Sequence, residues 1–329
     1  MSAPAVSVVM PVRDGERFLG EALESTLAQT LSDIELVVVD DGSSDATPDI
    51  LADASRRDSR VRVSRQEPGG LTVALNAGCA LARAPLIARM DADDVMLPDR
   101  LERQVAHLDS HAEVALLGGG IVLVDETGRE IDREPGRGRL DFLVRNELTH
   151  ATVMMRADAF RALGGYRLDQ SEDYDLWLRF DERFGVAALR GPAIRYRLHP
   201  GQFSVTALER QALGFLCVRE AAIARRRGDP DPLEGVQRLD GTVLGRLGVQ
   251  RERLDEAVVS DAVHWAATLT RVDREAEAAA LLDAAAAVNG APPRKELVRR
   301  ARGLLVKRAV RHGRLREATR ELAAYARGR

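Results

Sequence analysis

Two short apolar runs constrain this chain more than any other feature: Val6-Ser7-Val8-Val9-Met10, ended by Pro11, and Ile34-Glu35-Leu36-Val37-Val38-Val39, ended by Asp40. Runs of this length with little polar alternation read as strands buried on both faces of a parallel sheet. Between them Phe18, Leu19, Ala22, Leu23, Thr26 and Leu27 recur at helical spacing. Parallel neighbours need such a crossover, so the opening segment reads as a βαβ unit.

The alternation continues. Thr47 reads as an N-cap and Pro48 as the first helical residue before Ile50-Leu51-Ala52. Val61-Arg62-Val63 follows as a third strand, Leu71 to Ala82 as a helix and Leu86 to Met90 as a fourth strand. Pro98 opens another helix over Asp99 to Gln104. Further on, strands are expected at Val114 to Leu117, Gly120 to Val124, Thr152 to Met155 and Ala187 to Leu189. Asp125-Glu126-Thr127-Gly128 reads as a hairpin turn, and a helix is expected from about Tyr174 to Arg183.

From about Thr206 the chain turns to alanine, arginine and leucine with helical periodicity. A length of 329 residues suits two domains. The expected division is an α/β domain over 1–205 and an all-helical domain over 206–329. A weak repeat relates Arg271, Arg274, Glu277, Ala278 and Leu282 to Arg311, Arg314, Glu317, Ala318 and Leu322, as in helix-turn-helix arrays or by coincidence among alanine-rich helices. The basic stretch Arg294 to Arg329, with Leu297, Ala301, Leu304 and Leu305 on one face, reads either as a surface that rests on anionic lipid or as a helical cap packed on its own domain.

The net charge of -3 gives no general argument for a nucleic-acid partner. Cys79 and Cys217 lie outside any metal-ligand spacing and read as small core residues of a reduced compartment. No stretch of about eighteen apolar residues occurs, and Met1 to Ala5 leads straight into a strand pattern. The expected location is the cytoplasm, with or without contact at the inner face of the cell membrane.

Chemistry concentrates at strand ends. Asp91-Ala92-Asp93-Asp94 follows the fourth strand, and its like charges repel unless a hard divalent cation, Mg²⁺ or Mn²⁺, sits among them. A solvated turn capping the next helix is the alternative. Asp40-Asp41-Gly42-Ser43 ends the second strand, where ligands bind in open parallel sheets, and Asp41 can accept hydrogen bonds from a nucleobase or ribose. An ordinary strand-to-helix turn has the same composition.

Taken in order, Pro11-Val12-Arg13-Asp14, Asp40-Asp41-Gly42-Ser43-Ser44-Asp45, Gly69-Gly70 with Ala74-Leu75-Asn76-Ala77-Gly78, Asp91-Ala92-Asp93-Asp94, Gly164-Gly165-Tyr166, Ser171-Glu172-Asp173-Tyr174-Asp175-Leu176-Trp177 and Tyr196-Arg197-Leu198-His199 resemble the family 2 glycosyltransferases. The resemblance covers roughly the first 200 residues. It implies a GT-A fold: a Rossmann-like, mostly parallel mixed sheet flanked by helices. The implied activity is inverting transfer of a sugar from a nucleotide-diphosphate donor to a saccharide or lipid-linked acceptor, in bacterial surface polysaccharide, glycolipid or natural-product glycosylation.

By position, the resemblance places Pro11, Val12, Asp14, Asp41, Gly70, Asn76, Asp91 and Asp94 at the nucleotide, with Asp93 as principal metal ligand and His199 completing the metal site. Asp173 matches the catalytic base. Arg13-Asp14 departs from the aromatic or small residue and Asn of many relatives, which leaves base contacts at Asp14 open. His150 reads as an acceptor-side residue or a structural hydrogen-bonding group, and Trp177 as core. Two other functions fit less well. A sugar nucleotidyltransferase would carry an early glycine-rich, basic phosphate loop, and the loop after Met10 has neither feature. A silent nucleotide-sugar-binding module would have no use for the set Asp41, Asp93, Asp173 and His199.

Overall fold

The computed structural model describes residues 3–136, 140–199, 207–311 and Thr319. They form two compact units: the first runs to His199 and takes in Val218–Leu239, and the second comprises residues 207–217 and 240–311.

The first unit is built on a nine-stranded sheet. Its strands are β1 (Val6–Val12), β2 (Ile34–Asp40), β3 (Val61–Arg65), β4 (Leu86–Arg89), β5 (Val95–Met96), β6 (Val114–Val124), β7 (Glu130–Glu134), β8 (Met154–Arg156) and β9 (Gly185–Arg197). The order is β3-β2-β1-β4-β8-β6-β9-β5, with β7 paired to β6. Strands β1 to β4 are parallel, and β1, β2 and β4 are buried throughout, in keeping with their mainly apolar runs.

Strand periodicity divides the core. Val6, Val8 and Met10 pack with Leu19, Ala22 and Leu23 of α1 (Leu19–Leu27), Leu51 of α2 (Thr47–Arg57), and Leu101 and Leu108 of α4 (Arg100–Ser110). Val9 and Val39 instead meet α3 (Leu71–Leu81) at Gly78, where a Cβ would lie 2.5 Å from Val9 Cγ1. Only glycine lets that helix come so close.

Beyond β4 the topology inverts twice. β8 is antiparallel to both β4 and β6, and β9 is parallel to β6. The carboxyl end of β9 therefore returns to the edge where β1, β2 and β4 end. The two strands expected around Gly118 and Gly119 are one, β6, and the short strand expected at Ala187 to Leu189 is part of the thirteen-residue β9. Thr47 opens α2 and does not cap it; its hydroxyl accepts the Gly15 amide at 2.8 Å, while Asp45 accepts the Thr47 amide at 2.9 Å.

The remaining helices of the first unit are α5 (Ala157–Ala162), α6 (Glu172–Arg183) and the C-terminal half of α7 (Leu208–Arg226). Arg225 and Arg226 of α7 pair with Glu182 and Asp181 of α6, at 2.7 and 2.6 Å.

The second unit is helical. It holds α8 (Gly241–Arg246), capped by Asp240, then α9 (Arg251–Thr270), α10 (Glu275–Ala286) and α11 (Arg294–Arg311). Leu297, Ala301 and Leu305 of α11 are buried against Val259, Val263 and Ala266 of α9 and Leu282 of α10. Three of the four apolar positions expected on one face of the basic helix are thus packed within its own unit, and Leu304 is exposed. Of the second copy of the weak repeat, Arg311 ends α11, while Arg314, Glu317, Ala318 and Leu322 lie outside the described residues. Among the described residues no helix is long and apolar enough to cross a membrane. Cys79 and Cys217 are free and buried.

The seam between β4 and β8 is closed by a fully buried arginine. Arg100 donates to the carbonyls of Arg89 and Val153 at 2.9 and 3.1 Å and to Gln104, whose amide donates to Thr152 and Leu117. Burial pulls its pKa down to about 9. Arg100→Met removes the donors but not the carbonyls, and is expected to lower unfolding free energy by ~1–3 kcal/mol. Urea unfolding measures this directly.

Candidate active site

The acidic turn after β4 is held from both sides. On one side is Arg89, a guanidinium 3% exposed in an otherwise apolar strand, ion-paired through Nη1 with Asp91. On the other is Arg197 at the end of β9. Its amide donates to Asp94 Oδ1 at 2.8 Å and its Nε to the Asp93 carbonyl at 3.0 Å. The Arg197 guanidinium also lies 4.7 Å from the Phe18 ring, and Phe18 in turn packs 5.3 Å from the His199 ring. His199 Nε2 sits 2.9 Å from Asp93 Oδ2.

Ligand atoms of Asp91, Asp93 and Asp94 lie within 4.8 Å of one another. Asp94 is 1% exposed, and its Oδ2 has no hydrogen-bond partner among the described residues. Burial and the neighbouring charges of Asp93 and Asp91 hold its carboxyl well above the usual range. Burial likewise raises Asp91, against the opposing pull of Arg89. An orphaned buried carboxylate oxygen beside a half-buried Asp-His pair fits a hard divalent cation, whose ligands are oxygen with an occasional imidazole. Asp93, Asp94 and His199 have the atoms to hold it. Asp91 is engaged by Arg89.

The residues placed at the nucleotide fall into separate groups. Asp41 is 4% exposed and accepts from Gln66 at 2.8 Å, the Gly69 amide at 2.7 Å and the Gly70 amide at 2.8 Å. Its carboxylate thus organises the glycine turn before α3. Gly70 has φ +87, and a Cβ there would meet nothing, so this backbone faces open space. Asp14, also at positive φ, accepts the Ser44 amide at 2.8 Å, which lowers its pKa and ties the β1 loop to the β2 loop. Pro11 and Val12 are buried in β1, and Val12 belongs to the core on the α1 side. Asn76 spends both ends of its amide on Tyr166, donating to its carbonyl at 2.8 Å and accepting its amide at 3.1 Å. It staples α3 to the glycine turn, where Gly164 and Gly165 have φ +79 and +73.

That turn leads to α6. Asp175, fully buried, is gripped by Arg167 at 2.7 and 2.8 Å and by Arg179 at 2.9 Å, and Arg179 also donates to the carbonyls of Leu163 and Gly165. The first turn of α6 carries Glu172 and Asp173. Asp173 is half-buried; its Oδ1 accepts the Tyr174 amide at 2.6 Å and its Oδ2 accepts from Asn146 at 3.0 Å. Burial raises its pKa, and the two donors oppose the rise. Glu172 is more enclosed, with its pKa pushed up to about 8 by burial and then by Asp173. Beside it, His150 lies with Nδ1 3.7 Å away, its Nε2 2.9 Å from the Tyr166 hydroxyl and its ring edge-on to Trp177. Burial, then Arg89, hold His150 well below its usual pKa.

Residues 7–164 match the family model described as Glycosyl transferase family 2. The putative glycosyltransferase EpsE of Bacillus subtilis is 38% identical over 191 residues, 55% of this chain and 68% of that protein. The chain belongs to the family 2 glycosyltransferases. The O-antigen biosynthesis glycosyltransferase WbnJ of Escherichia coli is 34% identical over 53% of this chain and 70% of its own length. Among solved structures, the mannosyltransferase PcManGT of Pyrobaculum calidifontis, in complex with GDP-Man and Mn2+, superposes with a TM-score of 0.54 at 20% identity, covering 99% of this chain and 87% of its own. The fold is GT-A, with a helical C-terminal region.

Residue-by-residue reading of this glycosyltransferase missed Arg89, Asn146 and the purpose of Arg197. Arg89 left a signal, a charged residue within a run that reads as buried strand. Asn146, in a loop, left none.

Glu172 supplies a pH test. Its folded pKa, raised from the 4.5 of a free glutamate to about 8, means the folded state binds its proton more tightly than the unfolded state. Its contribution to stability is complete below pH 4.5 and declines as pH rises toward 8. Glu172→Gln is neutral at every pH. Its melting temperature relative to the parent is expected to climb across that window, followed by differential scanning fluorimetry.

Proposed function

We propose that this glycosyltransferase is a metal-dependent, inverting enzyme that moves a sugar from a nucleoside-diphosphate donor to an acceptor hydroxyl. The observation that carries this reading is the pair of sites on one α/β unit: a carboxylate and imidazole cluster at the end of β4, and a separately held carboxylate, Asp173, on α6. Displacement at an anomeric carbon needs charge offset on the leaving diphosphate and a base for the incoming hydroxyl.

Asp93, Asp94 and His199 would hold a divalent cation, which when bound would supply that offset as a Lewis acid. Asp173 accepts the acceptor's proton as the new C–O bond forms and the bond to the donor phosphate breaks. A single displacement of this kind inverts the anomeric centre. The glycine turn at Gly69 and Gly70, set by Asp41, gives a nucleotide bare backbone to lie against. In this reading 1–205 is the catalytic domain and 206–329 an accessory helical region. The name of WbnJ supports an acceptor among bacterial surface polysaccharides, and the ligands of PcManGT support a nucleotide-sugar donor with Mn²⁺.

Thermal-shift measurements with UDP-, GDP- and dTDP-sugars, with and without Mn²⁺, test the donor directly, since a ligand of the folded state raises its stability. Asp93→Ala is expected to lose the Mn²⁺-dependent part of the shift. Asp173→Asn should keep the shift and lose ~10²–10⁴-fold in turnover. No shift with any nucleotide sugar would overturn the scheme, and undiminished turnover in Asp173→Asn would overturn the base.

A further inference from the structure

Two adjacent carboxylates open α6, and both are pushed toward protonation by burial. Neighbouring like charges in a poorly solvated place do not both ionise readily, so the surroundings select which one does. Arg89, from β4, favours the charged form of each. The other titratable groups that bear on the pair include Asp91, whose charge further raises Glu172, His150, held neutral beside Glu172, and the hydroxyls of Tyr166 and Tyr174.

The asymmetry lies in hydrogen-bond donors. Glu172 accepts from its own backbone amide and otherwise faces an uncharged imidazole beyond hydrogen-bonding distance. Asp173 has a donor on each oxygen: the Tyr174 amide, supplied by its own helix, and Nδ2 of Asn146, supplied by a segment 27 residues earlier. That segment is fastened on both sides of Asn146. The Tyr174 hydroxyl donates to the carbonyl of buried Phe142, and buried Leu148 fills the space above Gly118, where a Cβ would lie 2.5 Å from Leu148 Cδ2. Donors to a carboxylate favour its charged form and fix its plane.

We propose that Asn146 is a positioning residue which selects Asp173, rather than Glu172, as the ionised member of the pair and holds its carboxylate for proton abstraction. This rests on the reading of Asp173 as the base.

The experiment separates the two ideas. Full-length protein labelled at the aspartate γ-carboxyl with ¹³C is titrated by NMR, with Asp173→Asn identifying the Asp173 signal. Asn146→Ala is expected to raise the Asp173 midpoint by about half to one pH unit, a roughly three- to tenfold gain in proton affinity. Asn146→Asp, which replaces a donor by a charge, should raise it further, and Asn146→Gln should restore part of the shift. An unmoved midpoint in Asn146→Ala overturns the proposal. Asn146 is exposed, so its loss does not open the core. In turnover, measured as hydrolysis of the nucleotide sugar that gives the largest thermal shift, the acid limb of the kcat profile should move with the NMR midpoint and the alkaline plateau should stay. A turnover that survives in Asp173→Asn refutes the base and leaves the NMR result standing; a dead Asp173→Asn with an unmoved Asn146→Ala profile refutes Asn146 alone.

Discussion

The buried ion pair between Arg89 and Asp91 is the constraint on which the site depends. A guanidinium taken out of water needs compensation, and here a carboxylate two residues along the same strand edge provides it. The Arg89 carbonyl is bonded by Arg100, a second buried arginine, so the strand end is fixed by its backbone as well as its side chain. The pair gives the acidic turn a permanent counter-charge from beneath. Without it, three carboxylates with ligand atoms within 4.8 Å would repel one another before any cation arrived. The same guanidinium also bears on the ionisation of Asp94, Glu172, Asp173 and His150. One fixed cation thus lies within electrostatic reach of both the acidic cluster and Asp173.

The second requirement is geometric. A helix crossover returns a chain to a parallel strand, whereas β8 runs antiparallel between β4 and β6. With β8 reversed between them, β4 and β6 run the same way, and β9, parallel to β6, brings its carboxyl end to the shared edge. Arg197 and His199 arrive there and bond to Asp93 and Asp94, more than a hundred residues earlier in the chain. Moving β9 by one residue in register would turn Arg197 away from the turn it secures.

Asp173, the proposed base, is positioned by a different device. Two left-handed glycines bend the chain into α6, Asn76 clamps the residue after them, and Asp175 gathers Arg167 and Arg179 inside the fold. A buried carboxylate shared by two arginines is rigid because each lost hydrogen bond would leave a charge unpaired. The motif residues Gly164, Gly165 and Asn76 therefore fix the turn that leads into α6, where Asp173 lies.

Much of this was legible in the chain. The apolar runs of β1, β2 and β4 and the helical spacing of α1 and α3 determined a parallel α/β core, because a strand buried on both faces admits few polar residues and a crossover admits few lengths. Asp93, His199 and Asp173 stood out from motif order as candidate site residues. Asp41 and Asn76 were legible as special positions but not in their function, since spacing cannot say whether an acceptor or an amide turns to a ligand or to its own backbone. Tertiary structure alone decided that: it closed Asp41 on the Gly69-Gly70 turn, gave Asn76 to Tyr166, brought Asn146 to Asp173 and merged two expected strands into β6. These contacts join residues far apart in sequence, and their partners are chosen by strand order and packing, which local pattern does not encode.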